Sequence, residues 1–164
     1  MSQATLSVAV STDQANIKVN GRATFECTEN LKFFCSSALA KNISSLHINM
    51  QNCTGMDSTF MGMLAKISME ARKKKIEVAM ILINKENKKN LFSLGLKKLF
   101  TFPEQQEVQG DKWTELEAKK TPQVEQRQNI IDAHQTLIDV HEDNRQEFQD
   151  IVDFLNAEKS SEQK

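Results

Sequence analysis

Short apolar runs alternate with longer amphipathic stretches over the first hundred residues of the chain. Runs of period two bounded by turn residues indicate strands, and apolar residues three and four apart indicate helices. The strands are predicted at residues 5–10, 16–19, 45–50, 78–83 and, as a short apolar segment, 96–102. The helices are predicted at residues 28–41, from 57 or 58 to 74, and 86–94. This order predicts an α/β fold, a mixed sheet of four to five strands with helices packed on it.

Local sequence signals predict where several of these elements begin and end. Thr28 is the predicted N-cap of the first helix, and Gly95 is the predicted stop of the third helix. Residues 52–58 are rich in turn-forming side chains and are predicted to be a loop that leads into the second helix. The basic residues 72–75 suit the negative end of that helix's dipole.

The composition of the chain changes after Pro103. Residues 104–121 are polar and are predicted to be a linker, which leaves residues 1–103 as one domain. Pro122 suits the first position of a helix capped by Thr121, and a helical pattern continues over residues 122–159 as a C-terminal helical extension. Its apolar stripe is interrupted near residues 141–145, so the pattern fits either one long helix or two.

The apolar residues of this extension recur partly at a spacing of seven, with polar residues among them. The stripe therefore fits a helix that packs back on the domain, and it equally fits a helix that pairs with another chain. We expect an extension that binds a partner or forms a homodimer through the C-terminal helix.

The overall composition limits the classes of function. The chain has 164 residues, 39% of them hydrophobic, which is enough for one domain with a core. Its 21 basic and 22 acidic side chains nearly balance, so the surface as a whole has no excess charge to attract nucleic acid or an anionic membrane. The longest apolar run is too short to cross a bilayer, and the first residues do not resemble a secretory signal, so we expect a cytoplasmic protein.

The residue types that bind metals or attack substrates lack the neighbours that such chemistry requires. His134 and His141 lie two helical turns apart, too far to hold one ion, and with His47 they are expected to be solvated or interfacial. Ser58 has no identifiable base, and the sequence has neither a phosphate loop nor a nucleophile elbow. We therefore expect no metal, no cofactor and no enzymatic activity. The cysteines are odd in number and are expected to be buried free thiols: Cys27, Cys35 and Cys53.

The most informative segment is Asp57-Ser58-Thr59-Phe60-Met61-Gly62, at the predicted junction of a strand and a helix. Together with the order of elements, it resembles the Asp-Ser-Ser/Thr-Gly-Leu-Gly signature of the STAS domain, the family named for sulfate transporters and anti-sigma factor antagonists. Residues 91–100 resemble a second family feature, a helix end rich in Leu and Phe with a glycine. The resemblance covers residues 4–103. It departs at Phe60, where the family has glycine, and a phenylalanine would fill or mask surface that is open for a partner.

The resemblance implies a specific function. In anti-sigma factor antagonists, the serine after the aspartate is phosphorylated by a partner kinase that is itself the anti-sigma factor. The unphosphorylated form binds that kinase and frees a sigma factor. Carried over, the acceptor is Ser58, with Thr59 as a second candidate, and the implied partners are an anti-sigma factor serine kinase and a phosphatase in a bacterial cell, with no direct contact to nucleic acid. The implied partner-binding residues are Asp57, Ser58, Thr59, Phe60 and Met61.

Two other interpretations stay open. In the first, Asp57 and Ser58 have a purely structural role, because these residue types cap helices in many proteins. Alternatively, a STAS-like domain would be a regulatory subunit of a membrane transport complex, which would require a separate membrane partner. The sequence Asp57-Ser58-Thr59 favours the partner switch.

Overall fold

The computed structural model describes residues 4–104, 112–118 and 120–162 of the chain. Within these residues, strands and helices alternate up to α3, and two further helices close the chain. The strands are β1 Thr5–Val10, β2 Gln14–Ala23, β3 Ser45–Asn49, β4 Cys53–Met56, β5 Glu77–Ile81 and β6 Thr114–Glu115. The helices are α1 Thr28–Leu39, α2 Ser58–Lys73, α3 Lys85–Ser93, α4 Gln123–Val140 and α5 Asp143–Glu162, with 3-10 turns at Phe25–Cys27 and Lys97–Leu99.

The strands form one mixed sheet in the order β5-β3-β2-β1-β6. β1 pairs with β2 and with β6 in antiparallel fashion, whereas β2, β3 and β5 are parallel neighbours. The ten residues of β2 are long enough to pair with two strands in succession. Their first half pairs with β3 and their last residues pair with β4, which continues the path of β3 along the same edge. This extension of the sheet leads the chain directly into α2.

The predicted fold class is confirmed: the chain forms a mixed α/β sheet with helices packed on it and a C-terminal helical extension. Over the described residues the sheet has six strands, where the sequence predicted four to five. β4 was expected to be loop, because its sequence Cys-Thr-Gly-Met has little strand propensity, and its conformation depends on pairing with β2. β6 is a two-residue strand inside the polar segment 104–121, held by β1.

Three local predictions were wrong. Residues 96–102 do not form a strand: they contain a 3-10 turn, and only Thr101 forms a bridge, to Ala79 of β5. Thr28 is not a cap, because its hydroxyl donates to the carbonyl of Thr24, the residue that caps the preceding 3-10 turn. Thr121 is not a cap either, since α4 begins after Pro122 without a side-chain cap.

The extension consists of two helices that fold into a hairpin, α4 and α5. His141 has extended backbone dihedrals and ends α4, and α5 begins two residues later at Asp143. Arg127 of α4 forms a bidentate ion pair with Glu162 of α5, with distances of 2.8 and 2.6 Å, and this contact holds the pKa of Glu162 below its usual range. Among the described residues, no helix is both long and apolar enough to cross a bilayer.

Helix α2 lies between the sheet domain and the hairpin. It packs against α1 and β5 and, along its other side, against α4. Ten of its 16 residues are buried, whereas a helix on the surface of a globular domain buries a single apolar stripe. Phe60, at the position where the family signature has glycine, is 0% exposed and belongs to the hydrophobic core.

We predict that Phe60→Ala lowers the free energy of unfolding by about 3–5 kcal/mol, because it removes a fully buried aromatic ring and leaves a cavity. The matched control is Phe154→Ala on α5, where the side chain is 62% exposed and the expected change is within about 0.5 kcal/mol. Urea unfolding followed by circular dichroism measures both. Equal changes in the two variants would show that Phe60 contributes no more packing than a surface ring.

Candidate functional site

The junction of β4 and α2 positions Ser58. Asp57 follows β4 in an extended conformation, and its backbone N–H donates to the carbonyl of Ala23 at 2.9 Å, which continues the pairing with β2. Ser58 is the first residue of α2 and is partly exposed. Its hydroxyl therefore lies where the first backbone N–H groups of a helix have no partner within the helix.

Both carboxylate oxygens of Asp57 accept backbone hydrogen bonds. Oδ1 accepts from the N–H of Phe60 at 2.8 Å and so caps α2, which confirms the predicted start of that helix. Oδ2 accepts from the N–H of Phe25 at 2.9 Å, in the 3-10 turn that precedes α1. Asp57 thus joins the starts of α1 and α2 as well as capping one of them.

The hydroxyl of Ser58 contacts a histidine that is 76 residues away in sequence. Ser58 Oγ lies 2.8 Å from Nε2 of His134 on α4, and His134 is 3% exposed. The other ring nitrogen, Nδ1, lies 2.7 Å from the carbonyl oxygen of Ile130. A carbonyl only accepts, so Nδ1 donates its proton, and in the neutral ring Nε2 accepts the hydroxyl proton of Ser58. The sequence identified no base for Ser58, and the structure places the ring of His134 beside it.

One turn further along α2, Gly62 permits a close approach of α4. A Cβ atom at position 62 would lie 2.4 Å from the carbonyl oxygen and 2.9 Å from the Cβ of Ala133. Ala133 is 0% exposed. The last glycine of the family signature and an alanine of the hairpin therefore form a contact between two helix backbones that larger side chains would prevent.

Polar contacts in the first half of α4 and at the turn after it join the hairpin to the domain. Asn129 donates to the carboxylate of Glu29 on α1 at 2.6 Å. At the turn between α4 and α5, the buried Asn144 donates to the carbonyl of Leu94 at 2.9 Å, and the side chain of His141 packs on Gly95, where a Cβ would lie 2.8 Å from it. Gly95 has a φ of +76° and ends α3 as predicted.

The sequence-predicted site residues occupy the first turn of α2 and its cap, but they do not form one exposed surface. Asp57 and Ser58 are partly exposed, whereas Thr59, Phe60 and Met61 are 5%, 0% and 7% exposed. The sequence did not indicate that Ala133 and His134 contact these residues of α2. One signal was available for His134, because it lies three residues after Ile131 and four before Ile138 and so shares the buried stripe of α4.

The three cysteines are free and buried, as the sequence predicted. Burial raises the pKa of Cys27 to about 11, and it raises the pKa values of Cys35 and Cys53 as well. Among the described residues, no group of three or more His, Cys, Asp or Glu side chains is arranged to hold a metal ion. His47 is half-buried, and its Nδ1 lies 3.1 Å from Gln14 Nε2.

We predict that the folded protein reacts with iodoacetamide near pH 8 far more slowly than the protein unfolded in urea. The thiolate is the reactive form, and a pKa of about 11 leaves roughly one part in a thousand of Cys27 as thiolate at that pH. Because the pKa is raised, the rate should increase with pH up to about 11. Mass spectrometry counts the labelled sites, and rapid labelling of the folded protein near pH 8 would contradict the burial.

We predict that Asp57→Ala lowers the free energy of unfolding by about 1–3 kcal/mol, because two backbone N–H groups lose their acceptor. Asp57→Asn should have a smaller effect, since its amide oxygen can still cap α2 while the bond to Phe25 is lost. Urea unfolding measures both variants. A change in Asp57→Ala that is within about 0.5 kcal/mol would exclude the structural role of the carboxylate.

The chain is similar in sequence to a known domain family and in fold to several solved structures. The family model of the STAS domain matches residues 7–108. A search of curated protein sequences finds no match. SpoIIAA, solved as an anti-sigma factor antagonist in its unphosphorylated form, aligns with a TM-score of 0.52 at 14% identity, over 62% of this chain and 89% of its own.

Two further solved structures have the same fold. Bacillus SpoIIAA in its phosphorylated form aligns with a TM-score of 0.51 at 15% identity, over 60% of this chain and 90% of its own. A protein of Thermotoga maritima aligns with a TM-score of 0.53 at 14% identity, over 58% of this chain and 82% of its own. The hairpin lies outside the residues that the family model matches. With the signature segment at the start of α2 and the family model over most of the sheet domain, the chain belongs to the STAS domain family.

Proposed function

We propose that this chain is an anti-sigma factor antagonist of a bacterial cytoplasm that acts as a phosphorylation-controlled protein-binding switch. Ser58 is the proposed phosphate acceptor, with Thr59 as the second candidate. The unphosphorylated form binds an anti-sigma factor serine kinase, and a phosphatase restores that form. The observation that supports this most directly is the position of Asp57-Ser58, which starts α2 in a STAS domain at the site of the family signature.

The geometry of the first turn of α2 favours Ser58 over Thr59 as the acceptor. Ser58 is partly exposed, whereas Thr59 is 5% exposed. Of the structural neighbours, SpoIIAA has been solved in both an unphosphorylated and a phosphorylated form, which supports a phosphorylation switch in this fold.

The helix N-terminus makes a phosphate at Ser58 compatible with a folded domain. A phosphoserine has nearly two negative charges at neutral pH, and the free N–H groups at the start of α2 favour negative charge. A partner that docks over the same turn would instead bury a dianion beside Asp57. A loss of about 2–4 kcal/mol from such burial weakens binding by a factor on the order of tens to hundreds.

We also propose that the chain is not an enzyme, although Ser58 and His134 form a serine–histidine contact. The 2.8 Å between Oγ and Nε2 is a normal distance between a nucleophile and its base, but His134 is 3% exposed, so a substrate has little access to the ring. The Nδ1 proton is bound by a backbone carbonyl and not by a carboxylate, so the third member of a catalytic triad is missing from this contact. Turnover of any substrate that is lost in Ser58→Ala would contradict this proposal.

The test is affinity capture from lysate of the source organism with tagged wild type, Ser58→Ala and Ser58→Asp as baits. We predict that a kinase-like protein is captured by the wild type and by Ser58→Ala. Ser58→Asp should capture it at least about tenfold less, because the added carboxylate repels the docked partner. Mass spectrometry of the wild-type bait should find phosphate on Ser58.

The matched controls are Ser37→Ala and Ser37→Asp, because Ser37 is an exposed serine of α1. They should capture the same partner as the wild type. Equal capture by all baits, with Ser58 never phosphorylated, would reduce Ser58 to a structural residue at the helix start. A membrane permease or transport ATPase as the captured protein would favour a regulatory subunit of a transport complex.

A further inference from the structure

The hairpin of α4 and α5, residues 123–162, covers the part of the STAS domain where the proposed switch lies. We use the term docking surface for the first five residues of α2, from Ser58 to Gly62. His134 bonds to Ser58 at one end of this surface, and Ala133 lies against Gly62 at the other. Met61, between them, is 7% exposed. The surface that a partner would need is therefore already occupied by a segment of the same chain.

Charge complementarity also favours the docked arrangement. Residues 1–103 contain 14 Lys and Arg against 7 Asp and Glu, whereas residues 123–162 contain 3 against 10. The balanced total charge thus divides into a basic domain and an acidic hairpin. Lys66 of α2 and Asp132 of α4 form an ion pair at 3.6 Å beside the docking surface, and both side chains are partly exposed. The hairpin therefore has the features of a protein partner: an acidic helix with a small residue opposite Gly62.

We propose that the hairpin is the resident occupant of the docking surface, which an acidic helical partner must displace, and that a docked hairpin and a phosphate on Ser58 exclude each other. This inference rests on the proposed function, because it concerns the regulation of the same serine. In the closed form, Ser58 is partly exposed but its hydroxyl is bonded to His134, which limits the reaction of Ser58 with a kinase. The open form exposes Ser58 and Gly62 together.

The exclusion follows from the distance between Ser58 and His134. At 2.8 Å, the hydroxyl oxygen and the ring nitrogen are in hydrogen-bond contact, so a phosphorus atom with three oxygens on Oγ would occupy the place of the imidazole ring. The domain loses no contact of its own, because Asp57 continues to cap α2.

The backbone hydrogen bonds of the sheet do not involve the hairpin. β3 and β5 pair with other strands of the domain and form no part of the hairpin. Elements that cover a site by side-chain packing open at a lower free energy than a central sheet. The domain should therefore keep its hydrogen-bonded sheet in both the closed and the open form.

The test is hydrogen–deuterium exchange of the full-length protein with phosphoserine placed at position 58 by amber-codon suppression, which needs no kinase. We expect peptides from residues 123–162 to exchange at least about tenfold faster than in the unmodified protein. Peptides that cover β3 and β5 should keep their protection. The matched control is phosphoserine at position 37, on the exposed side of α1, which should leave the hairpin protected.

Unchanged exchange of the hairpin with phosphate on Ser58 would overturn the inference, because the two would then coexist. Loss of protection in the sheet as well would also overturn it, since the hairpin would not open independently of the domain. Equal opening with phosphate at position 37 would show that the effect does not come from the docking surface.

A second variant opens the hairpin without a phosphate. Ala133→Leu adds atoms where Gly62 already touches the helix, and it leaves Ser58 unchanged. We expect faster exchange of the hairpin and at least about twofold more captured partner than with wild-type bait. Asp139→Leu, at an exposed position of the same helix, should change neither. The hairpin of Ala133→Leu could exchange faster while this bait captures no more of a partner that the wild type also captures. That result would exclude displacement of the hairpin as a step in binding.

The two proposals fail separately. Exchange in the phosphoserine protein reports on the hairpin alone, so release of the hairpin together with no captured kinase would leave this inference standing and remove the proposed function. If a kinase binds the unphosphorylated bait more strongly but the hairpin stays closed with phosphoserine at position 58, the proposed function stands and this inference fails.

Discussion

The burial of α2 on two sides is the constraint on which the rest of the structure depends. A helix that contacts a sheet domain on one side and a second helix on the other must be apolar nearly all round. It must also have a small residue where the second helix crosses. Phe60 satisfies the first requirement and Gly62 the second. The substitution of phenylalanine for the family glycine therefore fills the domain core, and the glycine that remains provides the place where α4 approaches the helix.

Asp57 is a signature residue whose carboxylate has a structural role in this fold. Its two oxygens bond the backbones at the starts of α1 and α2, so its place is determined by the fold whether or not a partner binds. The same two bonds hold the helix end at which Ser58 is partly exposed. In the proposed switch, the rigid helix start beside Ser58 would let a phosphate change the charge of the surface while the domain keeps its shape.

The domain is basic and the hairpin is acidic, although the total charge of the chain is close to zero. A basic domain and an acidic extension attract one another at moderate range and lose that attraction as salt screens it. Within one chain, this attraction acts at high effective concentration, so a partner must bind the docking surface more strongly than the hairpin does. The proposed regulation by phosphate would require no new structural element, because the phosphate would act on the partly buried contact between Ser58 and His134.

The sequence by itself determined the alternation of strands and helices, the start of α2 at Asp57, the end of α3 at Gly95 and the family signature, because periodicity, caps and glycine act within a few residues. It also showed an extension with an interrupted apolar stripe, but it left open whether this stripe packs on the domain or pairs with another chain. Only the tertiary structure decided that β4 and β6 are strands, since each takes its conformation from the strand beside it. It alone brought His134 to Ser58 and Ala133 to Gly62, because no local rule relates side chains more than seventy residues apart, and such contacts arise only when whole helices pack.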